Sequence, residues 1–309
     1  MRLQLRSLVA AVALLFAASP FAGAVDLLLV TLSDNTIVKY DTTGNVGAAI
    51  QATQTTFVSS NLTMPQGLAF DSLGNLYAAN YGVNTISKFN SLGGYVSTIS
   101  GFLNSPIGLA FDSSGNLYAA NNGDSRINKY NSLGGYESVI NSNLNSPQGL
   151  AYASGNLYAA NYGDGTISKY NSSGGYVSNI SGAPQLNGPT GLAFDSSGNL
   201  YAANYSISRI YKYNSSGGFL SQITSNLTSP KGLAFDSLGN LYAANSGNNT
   251  ISKFDASGNF LTFWSTGGVT PSFIAFQPVA VPEPSTYALA AIATGVMAAV
   301  ARRRKARKA

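Results

Sequence analysis

The sequence contains no cysteine and no histidine among its 309 residues. Disulfide bonds, thiolate chemistry and imidazole acid–base or metal chemistry are therefore excluded outright. Charge is scarce as well: Asp, Glu, Lys and Arg make up 9% of the chain. The formal net charge of +5 comes from the ends, where Arg2, Arg6, Arg302, Arg303, Arg304, Lys305, Arg307 and Lys308 lie. Setting these and Glu283 aside leaves 9 basic and 11 acidic residues, with Glu137 the one glutamate. A slightly acidic body with so few charges has no electrostatic footprint for nucleic acid. Helical periodicity is also missing: no stretch of the body spaces its apolar residues at 3.6, so helices are not expected there.

What the body has is one phrase, repeated. Residues 65–94 read PQGLAFDSLGNLYAANYGVNTISKFNSLGG, and close copies begin at Pro106, Pro147, Pro189 and Pro230. A truncated copy, PSFIAFQP, begins at Pro271. The steps between these prolines are 41, 41, 42, 41 and 41 residues. A fixed period of this size marks a repeat architecture. Within one copy, the runs GLAF, LYAA, ISKF and YVSTIS are separated by Gly/Asn/Asp/Ser turns. That pattern predicts an antiparallel meander of four strands. One meander cannot bury both of its faces, whereas stacking copies around a ring does, which predicts a β-propeller.

The blade count follows from the ends of the body. Residues 26–40, DLLLVTLSDNTIVKY, align without a gap on residues 75–89. The N-terminal piece thus supplies strands two to four of a sixth blade, and Ile274-Ala-Phe276 supplies strand one. The expected fold is all-β: a six-bladed propeller of four-stranded antiparallel blades over residues 25–278, closed by strands from opposite ends of the chain. Phe70, Phe111, Tyr152, Phe194, Phe235 and Phe276 fall at equivalent first-strand positions and are expected to form the inter-blade core. A buried ring contributes about 1.5–3 kcal/mol, so Phe194→Ala is expected to cost about 3–5 kcal/mol through the cavity left behind.

Both ends carry signals of their own. Residues 1–24 read as a secretory leader: Arg2 and Arg6, an apolar stretch over 8–18, then the small-residue site Ala22-Gly-Ala24. Residues 279–309 form a tail. Pro282-Glu283-Pro284 is followed by an apolar run over 287–301, opened by Tyr287 and closed by Ala301, and then by Arg302, Arg303 and Arg304. Fifteen residues of helix span about 22 Å, short of a bilayer core of about 30 Å, so insertion as a transmembrane anchor would recruit flanking residues. The basic cluster would stay in the cytoplasm. The tail resembles the PEP-CTERM sorting signal of Gram-negative bacteria. That resemblance implies recognition of Pro282, Glu283 and Pro284 by a membrane exosortase, removal of the tail, and release or transfer to the cell surface. Proteins of this kind accompany exopolysaccharide production and biofilm formation. The motif P-x-G-L-A-F-D-S-x-G-N-L-Y-A-A-N with a following I-x-K-F resembles the NHL repeat over about residues 26–277. Related six-bladed folds include gluconolactonase-like enzymes.

Three groups of residues are candidates for a site. Asp71, Asp112, Asp195 and Asp236 open D-S-x-G-N turns. Such loops can bind calcium, but each offers one carboxylate, and a turn-capping role is the simpler reading. Asn80, Asn121, Asn161, Asn204 and Asn245 end the second strands at one mouth of the channel, beside Tyr81, Tyr162 and Tyr205. Aromatic faces beside amides suit carbohydrate, and this rim is the candidate ligand surface; the alternative is that each Asn bonds its own turn. Asp124 and Asp164 recur in adjacent blades and are the conceivable acid pair of a metal-dependent lactonase or lyase. The expectation is a non-enzymatic platform without cofactor, binding exopolysaccharide or a matrix protein, or else a passive spacer. Differences between copies, and hence specificity, are expected in the loops YGVN, NGDS, YGDG, YSIS and SGNN.

Overall fold

In the computed structural model, which describes residues 26–42, 54–180 and 184–278, each complete copy of the repeat forms one sheet. The first copy sets the pattern: Pro65–Phe70, Leu76–Asn80, Thr85–Phe89 and Tyr95–Ile99 lie side by side in that order. The copies opening with Pro106–Phe111, Pro147–Ala153, Pro189–Phe194 and Pro230–Phe235 repeat it. The first turn shows why. Asp71 Oδ1 accepts the N–H groups of Leu73 at 3.0 Å and Asn75 at 2.8 Å, and Gly74 takes a φ of 78°. The third copy lacks the Asp and closes the same strands with Ser154 and Gly155, both at positive φ, as a two-residue hairpin turn requires.

The sixth sheet joins the two ends of the body. Pro271–Phe276 pairs antiparallel with Leu27–Leu32, placing Leu28 opposite Phe276 and Val30 opposite Ile274. Thr36–Asp41 and Thr55–Val58 complete the blade. The fold is thus a six-bladed propeller closed by strands from both ends, as the split copy predicts. The expected leader (residues 1–24) and the sorting tail (279–309) lie outside the described residues.

Strand alternation explains the packing. In LYAAN, Leu76 and Ala78 face the preceding blade with Leu29, Ile37 and Phe89, whereas Tyr77 and Ala79 face the following blade with Leu109, Leu117 and Tyr130. The alanines keep neighbouring second strands close. Nearer the axis the spacing is tighter still. A Cβ added to Gly149 would fall far inside van der Waals contact of the Thr190 carbonyl, and Gly67, Gly108 and Gly191 meet the next blade's backbone in the same way. At the seam the motif has Phe273 instead, and Thr31 bridges: its hydroxyl donates to the Gln66 carbonyl at 2.8 Å and accepts from Phe273 N–H at 2.9 Å.

The aromatic core differs from expectation in one respect. The first-strand rings do meet across blades, edge to face: Tyr77–Phe111, Tyr158–Phe194, Tyr201–Phe235 and Tyr242–Phe276 are each 5.0 Å apart. They are only half-buried, because they end the strand at the channel's far mouth. Every third strand carries a fully buried aromatic: Tyr40, Phe89, Tyr130, Tyr170, Tyr213 and Phe254, none more than 1% exposed, and Tyr242 on a second strand joins them. A third strand lies midway out along the blade and is covered by neighbours on both sides. Phe194→Ala should therefore cost less than the cavity argument from a fully buried ring suggests.

These buried phenols set a pH limit. Burial pushes Tyr40 and Tyr170 up to about 12 and raises Tyr130 and Tyr213 as well. In the unfolded chain they ionise near pH 10. Their contribution to stability is therefore fully present below about pH 10 and is lost as the pH rises through about 12. In an alkaline titration, tyrosinate absorbance from these residues should appear together with loss of the β-sheet circular dichroism. Complete ionisation with the sheet intact would contradict their burial.

Candidate functional site: the axial funnel

At the mouth where the first strands begin, the propeller opens into a funnel of about 340 Å³. Its floor is the variable residue of P-x-G on successive blades: Gln66, Ile107, Gln148, Thr190 and Lys231. Its wall is the residue after the strand-two Asn, among them Tyr81, Asn122, Tyr162 and Tyr205. The fold aims them there. Each P-x-G proline pairs with the Asn that ends strand two, as Pro65 does with Asn80. The x residue and the residue after the Asn therefore project at the same rim. Tyr162 and Tyr205 meet edge to face, 6.2 Å apart, across neighbouring blades. Beyond them a groove of about 400 Å³ continues between these blades, lined by Tyr162, Asp164, Gln185, Asn187 and Ile207.

The structure narrows the expected rim to its tyrosines. Asn80, Asn121, Asn161, Asn204 and Asn245 are no more than 1% exposed. Their side chains tie down the connection arriving from the preceding blade. Asn80 Oδ1 accepts Thr63 N–H at 3.1 Å, and its Nδ2 donates to Thr85 Oγ1 at 3.1 Å and Ser87 Oγ at 2.9 Å. Asn161 and Asn245 repeat this with Thr166 and Ser168, and with Thr250 and Ser252. In the fourth blade Arg209 and Tyr211 stand where these hydroxyls would be, so Asn204 Nδ2 is left buried without a partner. The loops after the Asn are also less free than their variability suggests. Their last residues, Asn84, Ser125, Ser208 and Asn249, adopt positive φ, and Asn84 Oδ1, Ser125 Oγ and Ser208 Oγ accept from the next connection.

The aspartates serve the far mouth. Asp71, Asp112, Asp195 and Asp236 each cap their turn through Oδ1. Lys88, Lys212 and Lys253 of the third strands pair with Asp71, Asp195 and Asp236 at 3.5, 3.3 and 3.6 Å and lie over the rings of Tyr77, Tyr201 and Tyr242. Burial alone would raise the Asp195 carboxyl, but hydrogen bonds from Asn199 and the Lys212 ammonium hold it below its usual value. In the second blade Lys129 turns instead to Glu137 at 3.1 Å. Asp124 pairs with Arg126 at 3.9 Å; Asp164 Oδ1 accepts from Thr166 Oγ1 at 2.8 Å and lines the groove beyond Tyr162, which Asp124 does not. Among the described residues no group of three or more carboxylates converges to hold a metal ion.

The funnel floor lies outside the candidate site residues that the sequence suggests. Its signal in the sequence is the lone variable position inside an otherwise constant phrase: PQG, PIG, PQG, PTG, PKG and PSF. Lys231 is the charged member, half-buried, and burial lowers its pKa.

Comparisons with known proteins agree with both parts of the chain. Residues 280–305 match the PEP-CTERM protein-sorting motif, a stretch that contains Pro282, Glu283, Pro284, Tyr287, Ala301, Arg302, Arg303 and Arg304. These residues lie outside the described ones; among the described residues no helix is long and apolar enough to cross a membrane. Residues 227–254 match the NHL repeat. A search of curated proteins finds no match. Among solved structures, a chain of a nidogen/laminin complex is similar with a TM-score of 0.72 and 20% identity, covering 82% of this chain and 99% of that one. A selenomethionine-substituted virginiamycin B lyase from Staphylococcus aureus is similar with a TM-score of 0.57 and 14% identity, covering 80% and 86%. At these identities the likeness is one of fold. The chain combines an NHL-like six-bladed β-propeller with a C-terminal PEP-CTERM signal, the mark of an exported protein processed by an exosortase.

Proposed function

We propose that this protein is a surface or matrix protein whose propeller holds exopolysaccharide at the axial funnel without turning it over. The observation that carries the reading is the convergence of Tyr81, Tyr162 and Tyr205 on one funnel floored by Gln66, Gln148 and Thr190. Aromatic faces pack on the apolar face of a sugar ring, and amides and hydroxyls bond its hydroxyls. The groove beyond Tyr162 and Tyr205 would extend the contact along a chain. Among the described residues the funnel lining contains no carboxylate, and the chain has no imidazole, which supports binding over catalysis. The tail supports the location, since a PEP-CTERM signal implies export to the cell surface.

The test is a glycan array followed by calorimetry on the purified protein and on Tyr162→Ala/Tyr205→Ala. Removing both rings should weaken sugar binding about tenfold or more. Undiminished binding would move the site elsewhere, binding to a matrix protein alone would replace the ligand class, and no binding at all would leave a spacer.

A further inference from the structure

The lysines of the third strands show what this fold does with an ammonium group. Lys88, Lys129, Lys212 and Lys253 each face a carboxylate within 4 Å, and Lys39 and Lys169 lie over the rings of Phe57 and Tyr158 at 5.7 and 5.5 Å. Among the described residues Lys231 has neither kind of partner. It sits on an inner strand, on the funnel floor. The same funnel is lined by Gln66, Gln148, Thr190 and the tyrosines Tyr81, Tyr162 and Tyr205, with no carboxylate among its described lining residues. The Thr190 hydroxyl is occupied, donating to the Pro230 carbonyl at 3.0 Å. A half-buried cation with no counter-ion gives the funnel a positive potential on a body that is otherwise slightly acidic. A cation partly removed from water is held at a cost, and an anionic group on a ligand removes that cost.

We infer that the funnel selects an anionic saccharide, a sugar bearing a carboxylate or a sulfate, with Lys231 as its counter-charge. This rests on the reading of the funnel as a carbohydrate site and names the class of sugar. Gln66 and Gln148 line the same funnel as neutral partners for hydroxyls, and the tyrosines supply the faces. Burial lowers the lysine's pKa, as it would in the absence of a compensating acid.

Calorimetry of the purified protein with three size-matched probes tests it: oligogalacturonate, a sulfated galactan oligomer and a neutral galactan oligomer. At least one acidic probe should bind about tenfold to a hundredfold more tightly than the neutral one, the range of a charge-assisted contact. Lys231→Gln should abolish that preference and Lys231→Arg should keep it. Salt should weaken acidic binding, and so should raising the pH through the lysine's lowered pKa, because deprotonation removes the charge. Which acidic probe binds identifies the anion. A second readout concerns stability. Because its pKa is depressed on folding, Lys231 opposes folding at pH values below its folded pKa, and this opposition vanishes above its unfolded pKa. At neutral pH, Lys231→Gln should therefore leave the melting temperature unchanged or raise it by about 1–2 °C. Equal binding of acidic and neutral probes, or a preference that survives Lys231→Gln, overturns the inference while leaving the carbohydrate reading standing. Failure of all three probes to bind overturns both.

Discussion

Gly149→Ala should destabilise the propeller by at least about 3 kcal/mol, the upper end of what overpacking costs. The reason lies in the inner ring. The added methyl would meet the backbone carbonyl of Thr190, and beyond it the Cα of Gly191 on the next inner strand. Neither is the end of a flexible side chain, so the two strands must separate. Separation is not local, because Gly191 in turn abuts Lys231 and every blade is held by its neighbours in a closed ring. For a domain of this size the loss corresponds to about 6–12 °C in melting temperature. Gly101→Ala is the control: its added Cβ has nothing within 4 Å, and the change should stay within about 0.5 kcal/mol. Equal melting temperatures for the two variants would contradict the close approach of the inner strands.

Phe254→Ala should cost about 3–5 kcal/mol, as expected of a large ring removed from a closed cavity. Phe254 is fully buried between two blades, against Ile210, Ile223, Leu233 and Leu241, with Phe260 edge to face at 6.0 Å. Phe235→Ala removes a half-buried ring whose aromatic neighbour is Tyr201, 5.0 Å away. Its cost should be about half as large, a partial burial term plus one aromatic pair. Chemical denaturation of both variants measures the difference. A larger loss at Phe235 would reverse the assignment of the aromatic core.

Period and alignment made the architecture legible before any coordinates. The split copy is the strongest case: residues 26–40 align on residues 75–89, and pairing of Leu28 with Phe276 is the ring closure this demands. The turn-capping Asp was legible too, because D-S-x-G-N needs one acceptor at its first position and Asp71 supplies it. Depth was not legible. Alternation tells which blade a residue faces, but not how far out or how near a mouth it sits. Phe235 and Phe254 are both aromatic and both strand-borne, yet one ends a strand at the rim and the other is covered on both sides. The same limit applied to Asn80: five identical residues beside a channel mouth read equally well as a ligand ring or as loop ties. The hydroxyls of Thr85, opposite Asn80 in the register, and of Ser87, two residues on along the same face, decide for the ties. The P-x-G position is hard to read as a site because its neighbours are constant: the phrase looks like frame although its middle position faces the funnel.

If the funnel holds polysaccharide and the tail directs sorting, retention in the matrix depends on both. Wild-type protein and Tyr162→Ala/Tyr205→Ala would be expressed in an exosortase-bearing, polysaccharide-producing host, and the processed protein in the matrix and in the free medium would be measured. The wild type should be processed and retained with the polysaccharide, and the variant should be processed equally but recovered mainly in the medium. Equal retention of the two would contradict the funnel as the site that holds the polymer.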